Sequence, residues 1–200
     1  MNTRLMLRAE RAELVSLLRT LSEEEWESPS LCEGWRVRDV VAHLQTDTVT
    51  LSSYTGLLVR GRFSVDRVNE LLVRKMAPLP TTTLTDRLAG PDGWFSRMSP
   101  GLALADTFVH QQDIRRPLGR EREVPPERLR AVLANPDPFA FPRRYTRGLH
   151  FAATDLDWTQ GEGPEVRGPA EALALVMVGR PAALADLEGD GVPTLRQRLT

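Results

Sequence analysis

The chain is poor in cysteine, in lysine and in long apolar runs, and each shortage removes a class of protein. Cys32 is the only cysteine, so no internal disulfide can form, which fits a reducing compartment and points to the cytoplasm. No stretch approaches the roughly 20 apolar residues that a membrane span needs. Met1 to Arg11 mixes charge with leucine and builds no signal-peptide core. An excess of one charge is missing too: 26 basic side chains meet 27 acidic ones, a formal net charge of −1. No overall field therefore steers the chain toward nucleic acid or an anionic membrane. Nearly all the positive charge is arginine, with Lys75 the lone lysine, which suggests a G+C-rich bacterial genome. What remains is ordinary: 41% hydrophobic and 26% charged residues over 200 positions describe a globular protein. That length suits one large domain, or one ordinary domain with a small appendage.

Helical periodicity dominates the first 120 residues. From Arg4 to Leu21 apolar residues recur at Leu7, Leu14, Leu18 and Leu21, the spacing of one helix face. Ser22 and Glu25 read as a capping box opening a short turn of helix. Past the interruption at Pro29, Cys32 and Gly34, the pattern predicts a second helix over Arg36–Val59. Its stripe is Val37, Val40 or Val41, Leu44, Thr48, Leu51, Thr55 and Leu58. Ser64 should cap a third helix carrying Val65, Val68, Leu72 and Met76. Pro78 to Pro100 is looser, with Trp94 and Phe95 as anchors. A fourth long helix runs from about Gly101 to Arg116, stopped by Pro117 and Gly119. Four amphipathic helices in succession predict a mainly α protein built on a four-helix bundle.

The last third changes character, which places a division near residues 1–120 and 121–200. Pro125 and Pro126 open a short helix, and Pro136, Pro138 and Pro142 break the chain repeatedly. Leu149, Phe151 and Ala153 alternate with His150, Ala152 and Thr154, as in a strand with one buried face. Gly161 and Gly163 suggest a turn into a returning strand at Glu165–Arg167. Ala170–Val178, Pro181–Glu188 and Pro193–Leu199 read as short helices. The expectation is a small C-terminal α/β subdomain.

The chemistry-bearing residues lie on the long helices. Side chains four positions apart share a helix face, so Asp106 and His110 project together. His43, roughly 60° around the helix from Val40, sits at the flank of the buried stripe and can reach the bundle interior. Two imidazoles and a carboxylate on facing helices would supply three protein ligands and leave one coordination position open. A lone histidine beside an apolar stripe is more often a hydrogen-bonded core residue, and Asp-x-x-x-His recurs on many helices. Spacing does not choose between the two.

A resemblance does bear on the choice. Leu31-Cys-Glu-Gly-Trp-Arg-Val-Arg-Asp-Val-Val-Ala-His-Leu44 resembles the signature of the mycothiol-dependent maleylpyruvate isomerase family, whose bundle is DinB-like. Asp106-Thr-Phe-Val-His-Gln-Gln-Asp-Ile-Arg-Arg116 is similar to that family's second metal motif, and segments from Gly148 to Gly191 are similar to its C-terminal region. The resemblance implies a divalent-metal site at His43, Asp106 and His110, with zinc the first candidate ion and nickel the next. The family pattern carries Glu where this chain has Asp106, a carboxylate one methylene shorter. The resemblance also implies mycothiol, or a similar small thiol, as cosubstrate. The expected activity is isomerisation or thiol transfer on a small electrophile, by an isomerase or transferase. The other reading is a non-catalytic metal-binding sensor or interaction protein on the same bundle. Expected partners are the thiol and a small-molecule substrate, without nucleic acid or membrane, with a homodimer as the candidate assembly.

The remaining polar residues divide by position. Arg115 and Arg116 could bind a carboxylated substrate or complement the helix dipole, and Arg180 is similar to an arginine of the family's tail; Arg115 and Arg180 are the candidate catalytic residues. Asp47 and Asp113 are candidates for hydrogen bonds to the ligands. Cys32 has no base that the sequence identifies and reads as a loop-lining thiol. His150 falls on a strand, and Asp155, Asp157 and Trp158 shape a turn.

Overall fold

The computed structural model describes residues 2–200, which form two compact units, the first ending at Glu121 and the second covering Arg122–Thr200. Helix α1 (Thr3–Leu18) starts where the Asn2 side chain accepts the Arg4 N–H. It buries Leu7, Leu14 and Leu18 and packs against α8 (Pro100–Arg115). The box expected at Ser22 and Glu25 is present and opens α2 (Glu23–Glu27), whose Trp26 is buried. Helix α3 (Val37–His43) begins where Asp39 reaches back to accept the Arg36 N–H at 3.0 Å. It sinks Val37, Val40, Val41 and Ala42 fully into the core, against α5 (Val65–Met76).

The long second helix expected over Arg36–Val59 is instead broken. Regular α-helix stops at His43, a 3-10 segment covers Leu44–Thr48, and α4 (Leu51–Arg60) starts afresh with Thr50 as its N-cap. The cause is the run of short hydroxyl side chains. Thr46 donates to the His43 carbonyl at 3.2 Å and Thr48 to the Gln45 carbonyl at 2.9 Å, local bonds that compete with the helical ladder. The restart also moves the apolar face. Leu57, not Leu51 or Thr55, is the buried residue of α4. The looser stretch before Pro100 contains two helices, α6 (Thr81–Leu88) and α7 (Trp94–Met98).

Helix α8 differs from the others. Every residue from Thr107 to Ile114 is buried, so it has no solvent face there and runs through the middle of its unit. A central helix must supply partners for whatever polar groups it carries. Gln111 accordingly donates to buried Glu10 on α1 at 3.0 Å.

In the second unit α9 (Pro126–Ala134) is followed by a 3-10 turn at Pro138–Ala140 and α10 (Arg143–Thr146). A small sheet then forms in the order β2-β1-β3. Strand β1 (His150–Ala153) pairs antiparallel with β2 (Thr159–Gln160) and parallel with β3 (Glu165–Gly168), Phe151 lying opposite Val166. The strand expected at Glu165–Arg167 is present as β3, but it runs parallel to β1, and the antiparallel partner is β2. The glycine pair lies between β2 and β3, as expected for the turn into the Glu165 strand, and a Cβ on Gly163 would sit 2.3 Å from the Gly148 carbonyl oxygen. Helix α11 (Ala170–Met177), a 3-10 turn at Pro181–Asp186 and α12 (Val192–Leu199) complete the unit. Among the described residues no helix is long and apolar enough to cross a membrane.

Candidate metal centre

The first unit brings His43, Asp106 and His110 together. His43 is the last residue of α3, and Asp106 and His110 lie one turn apart on α8. Both imidazole Nε2 atoms stand 3.4 Å from the same Asp106 Oδ1, and the rings meet edge to face with centroids 4.7 Å apart. The histidines are 8% and 9% exposed, whereas the Asp106 side chain keeps 22% of its exposure. Solvent therefore reaches the trio from the carboxylate side.

The spacing itself separates two readings. An N–H···O hydrogen bond is about 2.7–3.2 Å long, so 3.4 Å is a poor one. Donors held tetrahedrally at about 2.0–2.1 Å from one ion stand about 3.3–3.4 Å apart. Two imidazole nitrogens and a carboxylate oxygen, each within 4.8 Å of the others, also form a donor set suited to zinc or a similar divalent ion. The residues fit the group that the sequence implies.

Charge reinforces the arrangement. Burial works against ionised Asp106, but the facing His110 and His43 rings outweigh it and hold the carboxyl far below its ordinary range. Burial likewise opposes a charged His110, yet Asp106 and Asp113 together push its pKa well above the ordinary value. Asp113 lies on the far side of the ring, with Oδ2 2.9 Å from His110 Nδ1, a true hydrogen-bond length. That pairing points Nε2 of His110 at Asp106, the carboxylate–histidine arrangement that orients metal ligands.

Helix spacing finds Asp113, but three neighbours escape it. Cys32 places its sulfur 3.1 Å from Asp113 Oδ2 and 3.6 Å from His110 Nδ1. Trp35 packs its ring 5.6 Å from that of His43. Tyr54 stacks on Trp94 at 4.9 Å, and burial, then the Asp106 charge, push its phenol pKa up, so it stays a neutral donor. The only hint of the first two was their place in the Cys-Glu-Gly-Trp segment ahead of α3.

Other expectations resolve differently. Asp47 does not support the histidines; it pairs with Arg11 at 2.5 Å and accepts from Ser96. Arg115 closes α8 and donates to the Arg120 carbonyl at 3.2 Å. Arg180 belongs to the second unit, where it donates to the Val178 carbonyl at 3.1 Å. His150 Nδ1 lies 3.0 Å from the Gly161 carbonyl oxygen on the sheet.

The carboxylate can be tested directly. Asp106→Glu should retain metal, since the longer side chain can still present one oxygen. Asp106→Asn should weaken it by more than the roughly 10–100-fold that loss of an outer hydrogen bond costs. Zinc titration against a chromophoric chelator reads both, and equal affinity in all three forms would remove Asp106 from the centre.

Comparison with known proteins bears on the fold. Residues 7–92 match the model of the mycothiol maleylpyruvate isomerase N-terminal domain family, a segment that includes His43 and ends before Asp106. No curated protein matches the chain. The crystal structure of the mycothiol-dependent maleylpyruvate isomerase superposes with a TM-score of 0.64 at 14% identity, over 94% of this chain and 91% of that one. The structure of a histidine-to-alanine mutant of that isomerase gives 0.62 at 15% identity, with the same coverage. The chain thus takes the fold of that isomerase along nearly its whole length, and its residues 7–92 match the mycothiol maleylpyruvate isomerase N-terminal domain family model.

Proposed function

We propose that His43, Asp106 and His110 hold one divalent ion, zinc first, and that the protein is a thiol-dependent enzyme of the isomerase or transferase type. Its cosubstrate would be a low-molecular-weight thiol such as mycothiol, and its substrate a small electrophile. The observation that carries the reading is the convergence of both Nε2 atoms at 3.4 Å on a single, partly exposed carboxylate oxygen. When bound, the ion would supply positive charge that favours a thiolate over a thiol, and three protein donors would leave one position open.

The chain's own residues do the rest. Asp113 keeps a proton on Nδ1 of His110, so Nε2 presents its lone pair to the centre. Trp35 limits the motion of the His43 ring. Tyr54, with its proton retained, offers a neutral donor beside the charge of Asp106. Arg115, in the same unit as the centre, remains the cation proposed for a carboxylated substrate. A sensor that only stores its ion would be better served by a closed set of four donors, whereas Asp106 faces solvent.

The test uses cobalt as a visible stand-in. Adding mycothiol to the cobalt-substituted protein should change the absorption as sulfur replaces water, and the change should weaken as pH falls and protons compete for the thiolate. His43→Ala should lose the response. A cobalt spectrum indifferent to thiol at neutral and alkaline pH would defeat the enzyme reading and favour the sensor.

A further inference from the structure

His110, Asp113 and Cys32 form a second trio that shares a histidine with the first, and its spacing is of another kind. Nδ1 of His110 and Oδ2 of Asp113 are 2.9 Å apart, and Oδ2 and the Cys32 sulfur 3.1 Å. Two ligands of one tetrahedral ion would stand about 3.3–3.4 Å apart for nitrogen and oxygen, and about 3.5 Å for sulfur and oxygen. Both observed separations are too short for that and right for hydrogen bonds. A carboxylate only accepts, so the ring N–H and the thiol must both be donors to the one oxygen.

We infer that Cys32 is a positioning residue of the centre: its thiol and the Asp113 carboxylate form a relay that holds the proton on His110 Nδ1 and so aims Nε2 at Asp106. The relay is anchored from both ends. Asp113 is fully buried on α8, and its backbone carbonyl accepts the Leu31 N–H at 3.0 Å, tying the Cys32 loop to that helix. Within the loop the Cys32 N–H donates to Ser30 Oγ at 3.1 Å and the Trp35 N–H to the Cys32 carbonyl at 3.0 Å. Gly34, at φ +74°, supplies the left-handed residue that closes this turn. The same five-residue loop thus reaches His110 through Cys32 and touches His43 through Trp35. It is a support for both histidines ahead of the helix that bears one of them.

A thiol is a weak donor, so the expected effect sits at the low end for outer hydrogen bonds to metal ligands. Cys32→Ala should weaken zinc about tenfold, whereas Cys32→Ser, which keeps an O–H donor, should stay close to the parent. Chelator competition reads this. The second readout is the downfield proton resonance of His110 Nδ1–H in metal-free protein, identified by its absence in His110→Gln. It should be sharp in the parent and in Cys32→Ser, and broadened by faster exchange in Cys32→Ala.

Unchanged zinc affinity and an unchanged resonance in Cys32→Ala would overturn the relay. So would an equal loss in the serine and alanine variants, or a second zinc per chain that disappears with the sulfur, since either would make Cys32 a ligand. The inference rests on the metal reading, but the proton resonance does not: a protein that bound no zinc yet showed the expected resonance pattern would refute the centre and keep the relay.

Discussion

Purified from metal-replete medium, the protein should carry about one divalent ion per chain, and the double variant His43→Ala with His110→Ala should carry none. The expectation follows from the distribution of donors. Removing both imidazoles leaves Asp106 as a single carboxylate, and one oxygen does not retain a transition metal against water and buffer. His43→Ala alone is the milder form of the test, because it leaves the His110–Asp113 pair intact and adds only a small void. It should cost most of the affinity while the far-ultraviolet circular dichroism is unchanged. Elemental analysis after exhaustive dialysis gives the answer, and stoichiometric metal in the folded double variant would show that the centre lies elsewhere.

Asp47→Ala should strongly destabilise the first unit. Asp47 and Arg11 keep only 6% and 13% of their side-chain exposure, and Asp47 also accepts from the Ser96 backbone at 2.9 Å and from its hydroxyl. Truncation leaves the Arg11 charge with less compensation in a dry setting, and breaking a buried pair costs about 3–5 kcal/mol. For a chain of this size that lowers the melting temperature by roughly 6–20 °C. Gly93 belongs to the same arrangement. A Cβ there would lie 2.1 Å from the Asp47 carbonyl oxygen, so only glycine lets the start of α7 come this close.

The pair also sets a pH dependence. Burial raises the Asp47 pKa, but the bonds from Ser96 and Arg11 outweigh it, and the folded value lies below the ordinary 3.8. A depressed carboxyl stabilises the folded state above its unfolded pKa, and the contribution is lost as pH falls through the folded one. Acid unfolding of the parent should therefore steepen below about pH 4, and Asp47→Asn should flatten that limb. Superimposable acid-unfolding curves would show that the pair contributes nothing.

Asp47 also shows where reading the sequence succeeds and where it stops. Asp106 and His110 share a face because α8 is continuous, so a spacing of four was a sound guide. The same rule applied to His43 and Asp47 fails, because regular helix ends at His43 and the 3-10 turn swings Asp47 toward Arg11. Threonines bonding to their own backbone caused the break, and apolar periodicity is blind to that competition. The helices with clean stripes, α1 and α5, were legible for the opposite reason. Cys32 was illegible in another way. Its partner is Asp113, 81 positions along the chain, and no local pattern records a contact closed only by tertiary packing. The parallel pairing of β1 with β3 is non-local too, since strand propensity identifies strands without saying which lie side by side.

The 63 positions between His43 and Asp106 have a thermodynamic consequence. The donors come from two helices whose juxtaposition exists only in the native unit, so an ion that needs all three has almost no affinity for the unfolded chain. By mass action, free ion at 100 times its dissociation constant would add about 2.7 kcal/mol to the unfolding free energy, and each further tenfold about 1.4 kcal/mol. The melting temperature of this unit is then not a constant of the sequence but a function of the free-ion concentration in the surrounding solution.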